Sequence, residues 1–410
     1  MWPASRQIAC LSRYRGCDTV TARIGLADTP VQTHFNLDDH TQIVMIGDIH
    51  GDLMPMLGIL VHAKLITMDK THFELLSQCY RTSDQDYKSQ AFHLGGTDAA
   101  EVQLLDGLKW IGKSSVAVFL GDLLDNRRNA SMDKYGVCAI APTQQFIMKA
   151  LDHLNTQAKV DKGRIVWVLG NHCMANVSPK FHLSMHDYAP RYFVQNSKLE
   201  PTSDDQNIPS NAWQTEVRTY MKKLSASAFV LITHGEGENH KPYAVGLHGG
   251  LTHKFAVESC MKKCQNSIAA DKIETILGNM SLGDAKLWSD FTDPDTPLLA
   301  DISMYPTWCR LGSIDKVVLA DYMGVHVLFK GHDIQRDGVK KIEGTDIYAT
   351  DIGMGRSFQK ESTESRLGYA TITMGENETP VVNIEEFTQS YGSCSESMCV
   401  RLPSSDSLAS

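Results

Sequence analysis

The chain has no run near the roughly 18 consecutive apolar residues that a membrane-crossing helix needs, although 42% of its 410 residues are hydrophobic. It also lacks CxxC pairs. Its ten cysteines are scattered, which excludes a thiolate metal cage of the usual spacing and suits reduced thiols in an intracellular, most simply cytoplasmic, protein. Cys260 and Cys264 are four apart, and two soft ligands alone do not make a site; they are expected as neighbours on a helix face. Basic residues are not in excess. Lys and Arg number 39 against 48 Asp and Glu, a net charge of −9, so neither nucleic acid nor an anionic membrane is attracted in general. Internal repeats and a secretory-type leader are both missing.

A repeated local pattern is present instead. Ile43-Val44-Met45-Ile46 runs into Gly47-Asp48-Ile49-His50-Gly51-Asp52. Val116 to Leu120 runs into Gly121-Asp122, with Asp125 three residues on. Ile165 to Leu169 runs into Gly170-Asn171-His172, Tyr243 to Leu247 into His248-Gly249-Gly250, and Val325 to Phe329 leads to Gly331-His332. Short β-branched apolar runs of this kind are what strands buried on both faces look like. One polar turn after one strand means little. Five such turns matter because ligands in α/β sheets gather beyond the carboxyl ends of the strands. Carboxylate, imidazole and amide oxygen are the donors that hard and borderline divalent metals take. A glycine beside each donor lets a tight turn pass close to a ligand and aim a side chain at it.

These blocks resemble the metal-dependent phosphoprotein phosphatases within the calcineurin-like phosphoesterases. GDIHGD is similar to that family's first block, GDLLDNR to its second and GNH to its third. LHGGLT (Leu247 to Thr252) and FKGHDIQRDG (Phe329 to Gly338) are similar to its two histidine blocks, all in the family's order over about residues 41 to 358. Pro306-Thr307-Trp308-Cys309-Arg310 and Asp351 to Arg356 resemble segments of the bacterial-type Shewanella-like phosphatases. The chain departs from the pattern at Asn126, where the second block normally has arginine, and at Cys173, where the third block has glutamate. Spacings between blocks are long, notably from Asp52 to Gly121, and insertions such as Gln78 to Asp98 are expected as outer loops.

The resemblance implies an α/β fold, a central β-sandwich flanked by helices, with a dinuclear metal site at the strand ends. It implies Asp48 and His50 on a first metal, Asn171, His248 and His332 on a second, and Asp122 bridging both. The ions would be divalent Mn, Fe or Zn, all of which accept this shell. Two metals about 3.5–4 Å apart lower the pKa of a shared water and steady an in-line displacement. His172 would protonate the leaving alkoxide with Asp125 orienting it; the alternative for His172 is a plain metal ligand. Arg310 is the first candidate to clamp phosphate, with Arg127 or Arg128 second, because guanidinium matches phosphate oxygens bidentately. His234 imitates the metal blocks as a rival to His248 and is expected to be structural or to contact a ligand. Asp351 follows another strand-like run and has no assigned role.

The implied reaction is hydrolysis of phosphoserine or phosphothreonine in proteins by direct attack of water activated at the metals. Two alternatives stay open: hydrolysis of dinucleoside polyphosphates or other small phosphate compounds, and an inactive phosphate-binding regulator, for which the displaced arginine speaks. The partner is then a phosphoprotein or a small phosphorylated substrate. Strand runs interleave with helical spacing at Leu53 to Ile66, Thr143 to Leu154 and Trp213 to Leu224, which points to one catalytic domain at 36–385 with insertions. Residues 1–35 form a basic arm, Arg6, Arg13, Arg15 and Arg23 facing Asp18 alone among the first 26 residues. Such a composition suits an organelle-targeting segment or a docking arm. Residues 386–410 are expected as a serine-rich tail.

Overall fold

The computed structural model describes residues 34–68, 72, 98–124, 140–176, 211–224, 226, 229–236, 241–250, 310, 325–354 and 364–390. The expectations for the basic arm before residue 34, the insertion before Asp98, Asp125, Arg127, Arg128, the Cys260–Cys264 pair, Trp308 and the tail beyond residue 390 lie outside the described residues.

All five apolar runs become strands, divided between two sheets. The first sheet is ordered β13 (Pro380–Ser390), β12 (Glu364–Met374), β2 (Ile43–Ile46), β5 (Val116–Phe119), β6 (Arg164–Trp167). In it β2, β5 and β6 run parallel, and β12 is antiparallel to both its neighbours. The second is ordered β1 (His34–Asn36), β7 (Phe229–His234), β8 (Lys241–Leu247), β9 (Val327–Lys330), β11 (Ile347–Ala349), β10 (Lys340–Lys341). A separate two-stranded ribbon pairs β3 (Ile66–Met68) with β4 (Leu108–Trp110).

The alternation of side chains along a strand explains why the runs are apolar throughout. Ile43, Met45, Val116, Val118 and Val166 meet Val230, Ile232, Ala244, Val327 and Phe329 in one core, which lies between the sheets. Val44, Ile46, Ala117, Phe119, Ile165 and Trp167 point the other way, into a second core with helical residues. Gly246 lets the sheets come close, since a Cβ there would lie 2.9 Å from Leu120 Cδ2 and 3.7 Å from Met45 Sδ.

Among the described residues the helices are α1 (Leu53–His62), α2 (Asp98–Asp106), α3 (Ile140–Ala158), α4 (Asn171–Ala175) and α5 (Asn211–Lys223). α1 stops short of the expected Ile66. Lys64 turns left-handed (φ 55°), and the Lys64 and Leu65 N–H groups bond back to the carbonyls of Val61 and Leu60, so Ile66 is free to open β3. α3 extends a turn past Leu154. The β12–β13 pair had no counterpart among the sequence expectations, and β13 runs through residue 386 to Ser390, into the segment expected as tail. Phe387 explains the extension in part: it stacks on His62 of α1 with centroids 4.1 Å apart. Among the described residues no helix is long and apolar enough to cross a membrane. The described residues form an α/β architecture, two packed sheets flanked by helices.

Candidate metal centre

The turns after β2, β5, β6, β8 and β9 come together, laced by their own backbone. His50 N–H donates to the Asp122 carbonyl (2.7 Å) and Gly51 N–H to the Leu123 carbonyl (2.7 Å), so the first block is bonded to the second. His172 N–H donates to Asp122 Oδ1 (2.9 Å), joining the third block. His332 N–H reaches both oxygens of Asp48, at 3.1 and 3.2 Å. His248 Nδ1 lies 2.8 Å from the Leu120 carbonyl, to which it donates, turning Nε2 toward Asn171 Oδ1 (2.9 Å) and Asp122 Oδ2 (3.2 Å). A backbone partner on one ring nitrogen fixes which nitrogen is left to bind a metal.

Two donor groups result. Asp48, His50 and Asp122 offer one ligand atom each within 4.8 Å of one another, and Asp122, His248 and His332 do the same. Asp122 belongs to both. Asn171 is buried beside His248. All six expected ligands therefore lie in one buried cluster, and the donor set of carboxylates, imidazoles and an amide oxygen fits divalent metals.

The electrostatics of the cluster point the same way. Burial pushes Asp48 well above the usual carboxylate range, and the nearby Asp351 carboxylate adds to this. Burial opposes ionisation of Asp122 as well, but His248, His172 and His50 outweigh it and hold this carboxyl well below its usual range. Burial alone would lower His248, yet Asp122 and Asp48 raise it to about 9. His332 is pushed well down by burial, and the positive charges of His248 and Arg310 add to the effect. Divalent cations would relieve the repulsion among Asp48, Asp122 and Asp351 and replace the proton on His248.

The glycines act as expected from the sequence: Gly51 (φ 67°) and Gly121 (φ 98°) take the left-handed backbone beside their donors. Three donors share that backbone, which the sequence did not lead one to expect: His50 (φ 50°), Asp122 (φ 36°) and His332 (φ 69°). For non-glycine residues this is uncommon and gathers at functional sites. Gly170 and Gly331 serve by close approach instead. A Cβ at either would stand 2.2 Å from a carboxylate oxygen, Asp122 Oδ1 and Asp48 Oδ1 respectively.

His172 is buried at the first turn of α4, with Nε2 3.9 Å from Asp122 Oδ2 and its ring edge-on to His50. It belongs to neither donor group. Arg310 is half exposed at the rim. Its Nη1 donates to the His332 carbonyl (2.7 Å) and to Asp333 Oδ1 (3.3 Å). His234 is removed from the cluster. Antiparallel pairing sets His234 against Lys241, while Phe229 at the other end of β7 faces Leu247, the residue before His248. Of the two expectations for His234, a structural place fits its surroundings: it packs edge-on to Tyr243. Asp351 is buried at the border of the cluster, its Oδ1 accepting from Gly353 N–H (2.9 Å). Cys173 is buried, accepts from Trp167 Nε1 (3.2 Å), and is raised to about 12 by burial and then by Asp122. Lys330 and Asp333, an ion pair beside His332, carried no sequence signal beyond their place in the last block.

Several solved structures are similar. The cold-active protein-tyrosine phosphatase of a psychrophilic Shewanella species is 14% identical, covering 86% of this chain and 82% of that one with a TM-score of 0.47. The phosphatase domain of the Legionella effector WipB is 14% identical, covering 71% and 99%, with a TM-score of 0.40. A protein serine/threonine phosphatase from Saccharomyces cerevisiae is 11% identical, covering 93% and 90%, with a TM-score of 0.41. No curated protein sequence matches. The family model described as calcineurin-like phosphoesterase matches residues 41–336, a span that holds every candidate ligand from Asp48 to His332. The chain belongs to the calcineurin-like phosphoesterase family.

Proposed function

We propose that this phosphoesterase is a dimetal phosphomonoesterase acting on phosphoserine and phosphothreonine in proteins. The observation that carries the reading is the single carboxylate of Asp122, common to two buried donor groups. Two divalent ions of Mn, Fe or Zn type, held by Asp48, His50, Asp122, Asn171, His248 and His332, would polarise the phosphoryl oxygens and acidify a water for attack on phosphorus.

The chain's own residues supply the rest. His172 holds a proton at the edge of the cluster and gives it to the leaving serine or threonine oxygen, a transfer worth roughly 10²–10⁴-fold. Asn176 steadies this residue: both its N–H (3.1 Å) and its Nδ2 (2.8 Å) donate to the His172 carbonyl. Arg310 at the rim takes the phosphate oxygens that face outward, and its planar fork sets their orientation.

The test is phosphate release from a pool of phosphoserine and phosphothreonine peptides with Mn²⁺, with Asp122→Asn as the blank. Release by the native chain alone is expected. Equal release by both proteins refutes the assigned site. Silence from both, with nucleotides released from a dinucleoside polyphosphate, moves the substrate to that class; tight phosphopeptide binding without turnover makes the protein a regulator.

A further inference from the structure

Asp333 follows the candidate ligand His332 and joins two cations of different standing. One is Lys330, whose side chain is fully buried at the end of β9 and pairs with Asp333 Oδ2. Its backbone is tied down as well, since the Lys330 carbonyl accepts from both Thr350 N–H and Thr350 Oγ1, each at 2.9 Å. The other is Arg310, 52% exposed, whose Nη1 is shared between Asp333 Oδ1 and the His332 carbonyl. The Asp333 carbonyl accepts from Gln335 Nε2 at 2.7 Å, so the carboxylate stands on a braced turn.

A buried ammonium is tolerated when a paired charge compensates its lost hydration, so Lys330 pins the carboxylate. An arginine half in water has many rotamers to lose. Two acceptors on one nitrogen, one of them the backbone of a metal-ligand turn, remove most of that freedom before any substrate arrives. Preorganisation of this kind strengthens binding by cutting the ordering cost.

We infer that Asp333 is a positioning residue which, anchored by buried Lys330, fixes the Arg310 guanidinium beside His332 to receive phosphate. The inference rests on the phosphatase reading, and it fails separately from it. A buried Lys330–Asp333 pair serving stability alone would leave phosphate affinity unchanged when broken.

The experiment uses the full chain loaded with Mn²⁺. Orthophosphate binding is followed by calorimetry, Mn content by elemental analysis, and KM and kcat with a phosphopeptide. Asp333→Asn is expected to weaken orthophosphate binding about tenfold and to raise KM more than it lowers kcat, with bound Mn unchanged. Arg310→Ala should lose about as much. Because both act through one guanidinium, the double variant should lose no more than either single one. Lys330→Met combined with Asp333→Asn removes the buried charge along with its partner, keeps the fold, and should show the same loss. Native phosphate affinity in Asp333→Asn, additive losses in the double variant, or no orthophosphate binding by the native chain overturns the inference. Coupled loss of phosphate binding in a protein that releases nothing from any phosphopeptide upholds the positioning role and refutes the substrate assignment.

Discussion

The main-chain N–H of His172 donates to Asp122 Oδ1 at 2.9 Å, so the residue proposed to act through its imidazole also holds, through its backbone, the carboxylate common to both donor groups. The other oxygen, Oδ2, lies 3.2 Å from His248 Nε2, 3.9 Å from His172 Nε2 and 4.0 Å from His50 Nε2. The proposed proton donor and the proposed metal bridge are thus placed by the same contact, and disturbing one moves the other.

Asp122→Asn keeps an oxygen for the His172 N–H and removes the charge that would hold two cations. The fold should survive with an unchanged circular dichroism spectrum. Bound metal should fall below two ions per chain by elemental analysis, and phosphate release should drop about 10³-fold, within the several kcal/mol that a metal site supplies.

Gly170→Ala places a Cβ 2.2 Å from Asp122 Oδ1 and 2.4 Å from its backbone nitrogen. Overpacking of this kind costs about 1–3 kcal/mol, and both the carboxylate and the backbone of Asp122 must move. A lower thermal midpoint and loss of bound metal are expected together. Gly344→Ala, where an added Cβ meets nothing within 4 Å, should keep its metal; equal metal loss in both variants would refute the steric account.

Without metal, Asp122 and Asp48 outweigh the burial that would lower His248 and push it up from an ordinary 6.5 to about 9. A folded-state pKa raised above the unfolded one favours the native state below the lower value and stops doing so above the higher one. The metal-free thermal midpoint should therefore fall as pH rises from 6.5 to about 9. Metal affinity should rise over the same window, since a ligand imidazole must first lose its proton. Melting curves of chelated protein and Mn²⁺ titrations across that range check both signs, and a flat midpoint would contradict the assignment.

Cys173 is buried next to His172, and burial and then the Asp122 charge raise it to about 12. It should resist iodoacetamide at pH 8 in the folded protein and react once the chain is unfolded, as peptide mass spectrometry would show. Labelling in the native state would mean that the site opens.

Much of this was legible along the chain. Ile43 to Ile46 and Val116 to Phe119 are apolar at every position because both faces of their strands are covered, and that is a local signal. Helical spacing likewise marked α1, α3 and α5, with ends off by a few residues, as where a left-handed Lys64 follows α1. The β12–β13 pair was harder to see. β13 is largely exposed and carries Asn383, Glu385 and Glu386 among its apolar residues, so only its pairing with β12 makes it a strand.

Which donors the chain offers, in what order, and that each follows a buried strand are local properties of the chain. Their geometry comes from the packing of distant segments. His234 and His248 have similar local surroundings in sequence, and antiparallel register separates them by the length of β8. Asp122 is 74 residues from Asp48 and 126 from His248 in the numbering, and its place between two donor groups exists only once the two sheets pack. The left-handed backbone of His50, Asp122 and His332 and the burial of Lys330 against Asp333 depend on the same packing. Local propensity disfavours each of them, and each persists because surrounding contacts outweigh its cost.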